Sequence, residues 1–117
     1  MIKQPDKSNL CGQCCLATIL DITLDESIKL VGHKHETRTK EIIKHFKTNK
    51  KDLTKKTIFN YSLCRVHFGK EKFTHWIVYK NGEIYDPNIG YYVTHDEWKE
   101  ITYYSNSRIT SSIEIIK

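Results

Sequence analysis

The sequence has few of the residues that break or cross-link a chain. Its 117 residues contain two prolines, five glycines and four cysteines, and they show no internal repeat or low-complexity tract. No hydrophobic run approaches the roughly 20 residues needed to span a bilayer, and no apolar stretch follows the charged residues at the start. We therefore expect a single soluble, cytoplasmic domain over residues 1–117.

The positive charge is unevenly distributed along the chain. The net charge is +5 at pH 7, and lysines are concentrated between Lys44 and Lys56. Such a segment can attract phosphate groups or acidic partners, but it carries no nucleic-acid-binding motif. We interpret it as a solvated helix end and a loop, and we do not expect nucleic-acid binding.

The four cysteines are expected to be thiols, because disulfides are rare in the reducing cytoplasm. A structural zinc site would pair Cys11 with Cys14 and Cys64 with His67. However, Cys64 and His67 are three residues apart in a predicted strand, so their side chains face opposite sides of it. We therefore expect no metal and no cofactor.

The first half of the chain has the spacing of three short helices. The pattern predicts helices over Cys11–Leu20, over Asp25–Val31 and from Lys40 onward. Ser8 or Asn9 is a suitable cap for the first helix, and Thr23 with Glu26 forms a capping box for the second. Between the second and third helices, Thr37 and Arg38 could line a cleft, while Thr37 or Thr39 could instead cap a helix.

The second half has the composition of an antiparallel sheet. Strands are predicted over Thr57–Phe68, Lys72–Lys80, Glu83–Asp86 and Arg108–Ile116, with a short helix through Trp98 between the last two. Thr94 and Glu97 form a capping box for that helix. Asn81-Gly82 favours a type I′ turn, because both central residues of that turn need positive φ. Helices followed by an antiparallel sheet predict an α+β domain.

The hairpin at Asn81-Gly82 brings a histidine close to a carboxylate. If Lys80 pairs with Glu83, then Asp86 lies diagonal to His75 on the same face, and Asn88 lies opposite His75. A histidine oriented by a carboxylate is the base that a thiol nucleophile requires. Asn88 is an alternative, because an amide can also orient an imidazole.

Cys11 is the predicted nucleophile. It lies at the start of the first helix, where the unpaired N–H groups favour the thiolate that attacks and can also hold an oxyanion. Gly12 allows a close approach of another backbone or a substrate. Cys14 and Cys15 lie one turn deeper, where we expect packing in the core.

Two sequence blocks, CGQCCLATIL and THWIVYKNGEIYDPNIG, resemble the signature blocks of a known family. The family is the papain-like double-glycine leader (bacteriocin-processing) peptidases and their stand-alone relatives. The resemblance implies a papain-like fold in which Cys11 attacks, His75 is the base, Asp86 orients His75 and Gln4 serves the oxyanion hole. An alignment with the papain block itself would make Cys14 the nucleophile.

The resemblance implies a cysteine peptidase that hydrolyses a peptide or isopeptide bond through a thioester, with a peptide or protein as its partner. An acyl transferase or a deamidase would use the same triad. A catalytically silent binding module with the same fold is the alternative outside enzyme chemistry.

Overall fold

The computed structural model describes residues 2–49, 54–55, 59–68, 74–101 and 106–116. The helices are α1 (Cys11–Leu20), α2 (Leu24–Val31), α3 (Thr39–Ile43) and α4 (His95–Glu100). The strands are β1 (Thr54–Lys55), β2 (Tyr61–Phe68), β3 (Thr74–Lys80), β4 (Glu83–Tyr85), β5 (Tyr92–Thr94) and β6 (Ser107–Glu114). Within these ranges, no helix is both long enough and apolar enough to cross a membrane.

The strands form one antiparallel sheet in the order β1-β6-β2-β3-β4-β5. The long strands β2, β3 and β6 occupy its centre, and the first three helices precede them in the chain. This arrangement confirms the predicted α+β class and the predicted antiparallel pairing.

Side chains that alternate along the strands divide the core between the two faces of the sheet. On one face, Leu63, Trp76 and Val78 pack against the apolar side of α1. On the other face, Cys64, Val66, Ile77 and Ile84 pack around Trp98 of α4. The sheet is therefore covered by α1 on one side and by α4 on the other.

The β3–β4 hairpin has the predicted turn. Asn81 and Gly82 have φ angles of 50° and 88°, and Lys80 pairs with Glu83. The ladder ends one residue earlier than predicted, because Asp86 opens a turn in which its carbonyl accepts the N–H groups of Ile89 and Gly90. The predicted pairing of His75 with Asn88 therefore does not form.

The predicted cap of α1 is wrong. The residue before the helix is Leu10, which offers no side-chain hydrogen bond. The Ser8 hydroxyl instead donates to the carbonyl of Pro5 at 2.7 Å, so Ser8 belongs to a local turn that also contains the Ser8 N–H to Pro5 O bond. The N–H groups at the start of α1 are consequently left without a capping side chain.

The other predicted helix starts are confirmed within one residue. Thr23 and Glu26 form the capping box of α2, and Thr94 with Glu97 forms that of α4. The third helix is also present but begins at Thr39, where Glu41 bonds back to the backbone N–H of Arg38. Neither Thr37 nor Thr39 is the cap.

Two short strands were not predicted. β1 lies inside the lysine-rich segment that was expected to be a loop, and β5 follows the turn at Asp86–Gly90. β2 begins at Tyr61, later than predicted, and β3 is described from Thr74 onward; the predicted strand positions 57–58 and 72–73 lie outside the described residues. β6 begins and ends slightly earlier than the predicted strand over Arg108–Ile116.

Candidate active site

Cys11 is the first residue of α1 and lines a cavity of about 350 Å³. The first backbone hydrogen bond of the helix is donated by the N–H of Cys14 to the carbonyl of Leu10 at 2.9 Å. The N–H groups of Cys11, Gly12 and Gln13 therefore have no acceptor within the helix. A helix start with unpaired N–H groups favours negative charge on an oxygen placed beside it.

The other three cysteines lie in the core. Cys14, Cys15 and Cys64 are 0% exposed, whereas Cys11 keeps 9% of its surface exposed. Burial raises the pKa of Cys14 to about 12, and the nearby Cys11 acts in the same direction. Burial likewise raises the pKa of Cys64 to about 12 and places that of Cys15 well above its ordinary value. Of the two candidate nucleophiles, Cys11 lines the cavity and Cys14 has no exposed surface.

His75 connects the thiol to a carboxylate. It lies near the start of β3, and its Nε2 is 2.6 Å from Oδ1 of Asp86. Burial lowers the pKa of His75, but hydrogen bonds with Asp86 and Cys11, together with the charges of both, outweigh burial and raise that pKa to about 9. The imidazole is therefore positively charged at neutral pH.

Asp86 is fully buried and is held by three donors. Its Oδ1 contacts Nε2 of His75 and accepts the backbone N–H of Asn88 at 2.9 Å. Its Oδ2 accepts the indole N–H of Trp98 at 3.0 Å. Burial raises the pKa of Asp86, but the hydrogen bonds and the positive charge of His75 outweigh it, so the pKa of that carboxyl is lowered.

Asn88, the alternative orienting residue, also lies at this site, where its backbone contacts Asp86. It contributes its backbone N–H to Asp86, and it lines the cavity. The group bonded to Nε2 of His75 is the Asp86 carboxylate. The predicted contact between His75 and Asp86 is therefore confirmed.

The N-terminal wall of the cavity is formed by residues 3–9, which all line it. The wall is attached to the 85–90 region by the Tyr85 hydroxyl, which donates to Ile2 O at 2.6 Å, and by Gln4 N–H, which donates to Pro87 O at 2.6 Å. Gly90 permits this contact, because a Cβ there would lie 2.8 Å from the Cβ of Lys3. The remaining lining residues are Cys11, Glu36, Thr74, His75 and Asn88.

Gln4, the predicted oxyanion-hole residue, lines the same cavity as Cys11 and His75. Its side-chain Nε2 donates to Ser8 O at 2.6 Å. Its Oε1 is buried and has no hydrogen-bond partner among the described residues. Because an amide nitrogen carries two protons, one proton of Nε2 is not used by Ser8.

The loop opposite the N-terminal wall is fastened to α1 by Gln13. The buried Gln13 amide donates to the carbonyls of His33 and His35 at 3.1 and 2.9 Å. Thr37 then packs against Gly12, where a Cβ would lie only 1.9 Å from the Thr37 Oγ1. The loop thereby brings Glu36 to the cavity, while Arg38 is the residue that precedes α3. Thr37, which was predicted to line the cleft, is buried. The residue of this loop that lines the cavity is its neighbour Glu36.

The other histidines mostly have partners outside the cavity. Nε2 of His33 is 2.5 Å from a carboxylate oxygen of Glu41. Nδ1 of His67 is 2.6 Å from the Thr110 hydroxyl, and the His95 ring packs against those of Tyr79 and Trp98. Within the described part of the chain, no three His, Cys, Asp or Glu side chains converge as metal ligands.

The chain matches no family model, no curated protein and no solved structure. The site brings together a thiol at a helix start, a charged imidazole and a buried carboxylate, and the thiol and the imidazole line a cavity large enough for a side chain or a short peptide segment.

Three residues of the site were not predicted in their roles. Trp98 was predicted as part of a short helix, and its indole N–H also donates to Asp86. Gln13 and Glu36 were not singled out. The sequence carries one signal for Trp98, since the capping box at Thr94 fixes where its helix begins, but no local pattern states which residue its indole N–H reaches.

Proposed function

We propose that the protein is a papain-like cysteine peptidase. The observation that carries this proposal is the hydrogen-bonded series from Cys11 through His75 to the buried Asp86. A thiolate beside an imidazolium, with a carboxylate fixing the imidazole, is the arrangement required for attack on an acyl carbon and for proton transfer to the leaving group.

In the first half of the proposed reaction, Sγ of Cys11 attacks the carbonyl carbon of the scissile bond. Negative charge develops on the carbonyl oxygen, and the first N–H groups of α1 together with Nε2 of Gln4 stabilise it. Because Nε2 of His75 is bonded to Asp86, Nδ1 is the ring nitrogen that protonates the leaving amine. The amine departs, and a thioester to Cys11 remains.

In the second half, neutral His75 takes a proton from a water molecule that attacks the thioester. The resulting tetrahedral intermediate collapses, the carboxylic acid product leaves, and the thiolate and imidazolium are restored. Asp86 keeps its charge throughout and holds His75 in one orientation, as a carboxylate does in such triads. Acyl transfer differs only in the attacking nucleophile, and deamidation only in the amide that is attacked.

The first test is thiol labelling. We expect iodoacetamide at pH 7 to modify Cys11 in the folded protein much faster than Cys14, Cys15 and Cys64, as measured by peptide mass mapping. The buried thiols of the same molecule are the internal control, since full unfolding should equalise all four. Equal labelling of Cys11 and Cys64 in the folded protein would contradict the proposal.

The second test is product analysis. The wild-type protein is incubated with a mixture of proteome-derived peptides in ¹⁸O-labelled water, and the products are identified by mass spectrometry. A peptidase generates new carboxyl termini that contain the label, whereas a deamidase converts side-chain amides and leaves the backbone intact. Cys11→Ser should abolish the reaction, and Cys64→Ser is the matched control. Absence of either product would favour a binding module.

A further inference from the structure

Arginine is rare in this chain and unevenly placed. The sequence contains sixteen lysines but only three arginines, Arg38, Arg65 and Arg108. Two of them, Arg65 and Arg108, lie on the central strands β2 and β6 of the sheet. A guanidinium differs from a lysine ammonium in forming paired hydrogen bonds to a carboxylate.

Sheet register connects these arginines to the cavity. Thr74, which lines the cavity, pairs directly with His67, and His67 pairs directly with Arg108. Arg65 pairs with Trp76 and lies on the same face as His67. We call Arg65, His67 and Arg108 the arginine ledge. Arg108 lies two strands away from Thr74, which corresponds to about 10 Å at the usual spacing between strands.

Among the residues that the structure describes, no carboxylate is paired with the positive charges of the ledge. The Arg65 guanidinium is fixed 4.6 Å above the Trp76 ring and donates to the Thr39 hydroxyl at 2.9 Å. Among the described residues, neither Arg65 nor Arg108 forms an ion pair with an acid. Burial lowers the pKa of His67, and Arg108 and Arg65 lower it further. The third arginine is different, since Arg38 lies beside the carboxylate of Glu41.

We propose that the arginine ledge binds acidic side chains of the substrate peptide within about three residues of the bond that Cys11 attacks. This inference rests on the proposed function. The limit of three residues follows from the distance of about 10 Å between Arg108 and Thr74, which lines the cavity together with Cys11, because an extended peptide advances about 3.3 Å per residue. The ledge matches a nucleic acid less well than an acidic peptide, because binding to a nucleic acid depends on neutralising many phosphates along its backbone.

The test measures binding without catalysis. The Cys11→Ala variant is titrated with two fluorescent peptides that differ only in three central residues, glutamates in one and glutamines in the other. We expect the acidic peptide to bind about tenfold more tightly at low salt, and the difference to shrink as salt is added. Equal affinities for the two peptides would overturn the proposal.

A pair of charge reversals then locates the effect. In the Cys11→Ala background, Arg108→Glu should remove most of the preference for the acidic peptide. Lys80→Glu makes the same change of charge at the other end of β3, about 20 Å from Thr74, and should leave the preference nearly intact. Equal losses in the two variants would assign the effect to net charge and overturn the proposal. Tighter binding of a single-stranded oligonucleotide than of the acidic peptide would do the same.

His67 provides a readout that a purely structural role of Arg108 would not produce. A carboxylate bound between the arginines offsets their repulsion of the imidazolium, so the pKa of His67 measured by NMR should rise when the acidic peptide is added. An unchanged titration at saturating peptide would contradict binding at the ledge.

The two proposals can fail separately. If Cys11 is not selectively labelled but the acidic peptide still binds at the ledge, the peptidase proposal fails and the binding site stands. If wild-type protein cleaves peptides but shows no preference for Asp or Glu near the cut, the ledge proposal fails and the peptidase proposal stands. Cleavage by Arg108→Glu should shift from acidic toward basic neighbours of the cut.

Discussion

Asp86→Asn removes the charge that keeps His75 protonated while leaving a side chain of nearly the same shape. The wild-type pKa of His75 is raised from 6.5 to about 9, against a burial effect that lowers it. Without the carboxylate charge, burial is the dominant remaining influence. We therefore expect the His75 pKa in the variant to fall below 6.5 and the imidazole to be neutral at pH 7.

The size of the expected change in stability follows from the shift of the His75 pKa. A rise from 6.5 to about 9 corresponds to about 3 kcal/mol of preferential stabilisation of the imidazolium. Because the folded-state pKa lies above the unfolded value, this stabilisation is complete below pH 6.5 and is lost as the pH rises through 9. The wild-type free energy of unfolding should decrease by up to that amount over this window, and the Asp86→Asn variant should lack the decrease.

Two assays measure this change. Urea unfolding at several pH values gives the free energy of unfolding, and iodoacetamide alkylation of Cys11 gives the reactivity of the thiol. Near pH 6.5 the variant should be alkylated at least about tenfold more slowly, because no imidazolium then stabilises the thiolate. Asp96→Asn, an exposed acid in the first turn of α4, is the control. Alkylation profiles that coincide for wild type and Asp86→Asn would refute the reasoning.

Three further changes test other parts of the site. Trp98→Phe keeps a buried ring but removes the donor to Asp86, so urea unfolding should show a loss of about 1–3 kcal/mol; an unchanged stability would show that the indole hydrogen bond adds nothing. Gly12→Ala forces a Cβ against Thr37 and should cost about 1–3 kcal/mol, with a smaller cost in a Thr37→Gly background; additive costs would exclude the contact as the cause. Gln4→Ala should lower kcat by about a hundredfold with little change in KM, and an equal kcat would remove Gln4 from the oxyanion hole.

The β3–β4 hairpin could be predicted from the sequence because its determinants are local. Asn81-Gly82 permits positive φ at both positions, and that turn sets the register that brings His75 near Asp86. The capping boxes at Thr23 and Thr94 are equally local. Each depends on residues three apart, and both are present.

The features that were missed depend on contacts distant in sequence. Ser8 was a good candidate cap by residue type, but its hydroxyl is used in a turn with Pro5 that the helix pattern does not encode. The short strand β5 exists because it pairs with β4. Likewise, the Trp98 bond to Asp86 and the Gln13 bonds to the His33–His35 loop join separate elements, so no spacing rule predicts them.

The attachment of the N-terminal wall has an evolutionary consequence. The wall is held by backbone groups of Ile2 and Gln4 and by close packing of Lys3 on Gly90, whereas Cys11, His75 and Asp86 come from α1, β3 and the turn after β4. The loop at residues 5–9 lies between the attached part of the wall and α1 and forms much of the cavity rim. In the proposed peptidase, substitutions in this loop can therefore diversify what enters the cavity while Cys11, His75 and Asp86 stay in place, so its specificity can evolve independently of its catalysis.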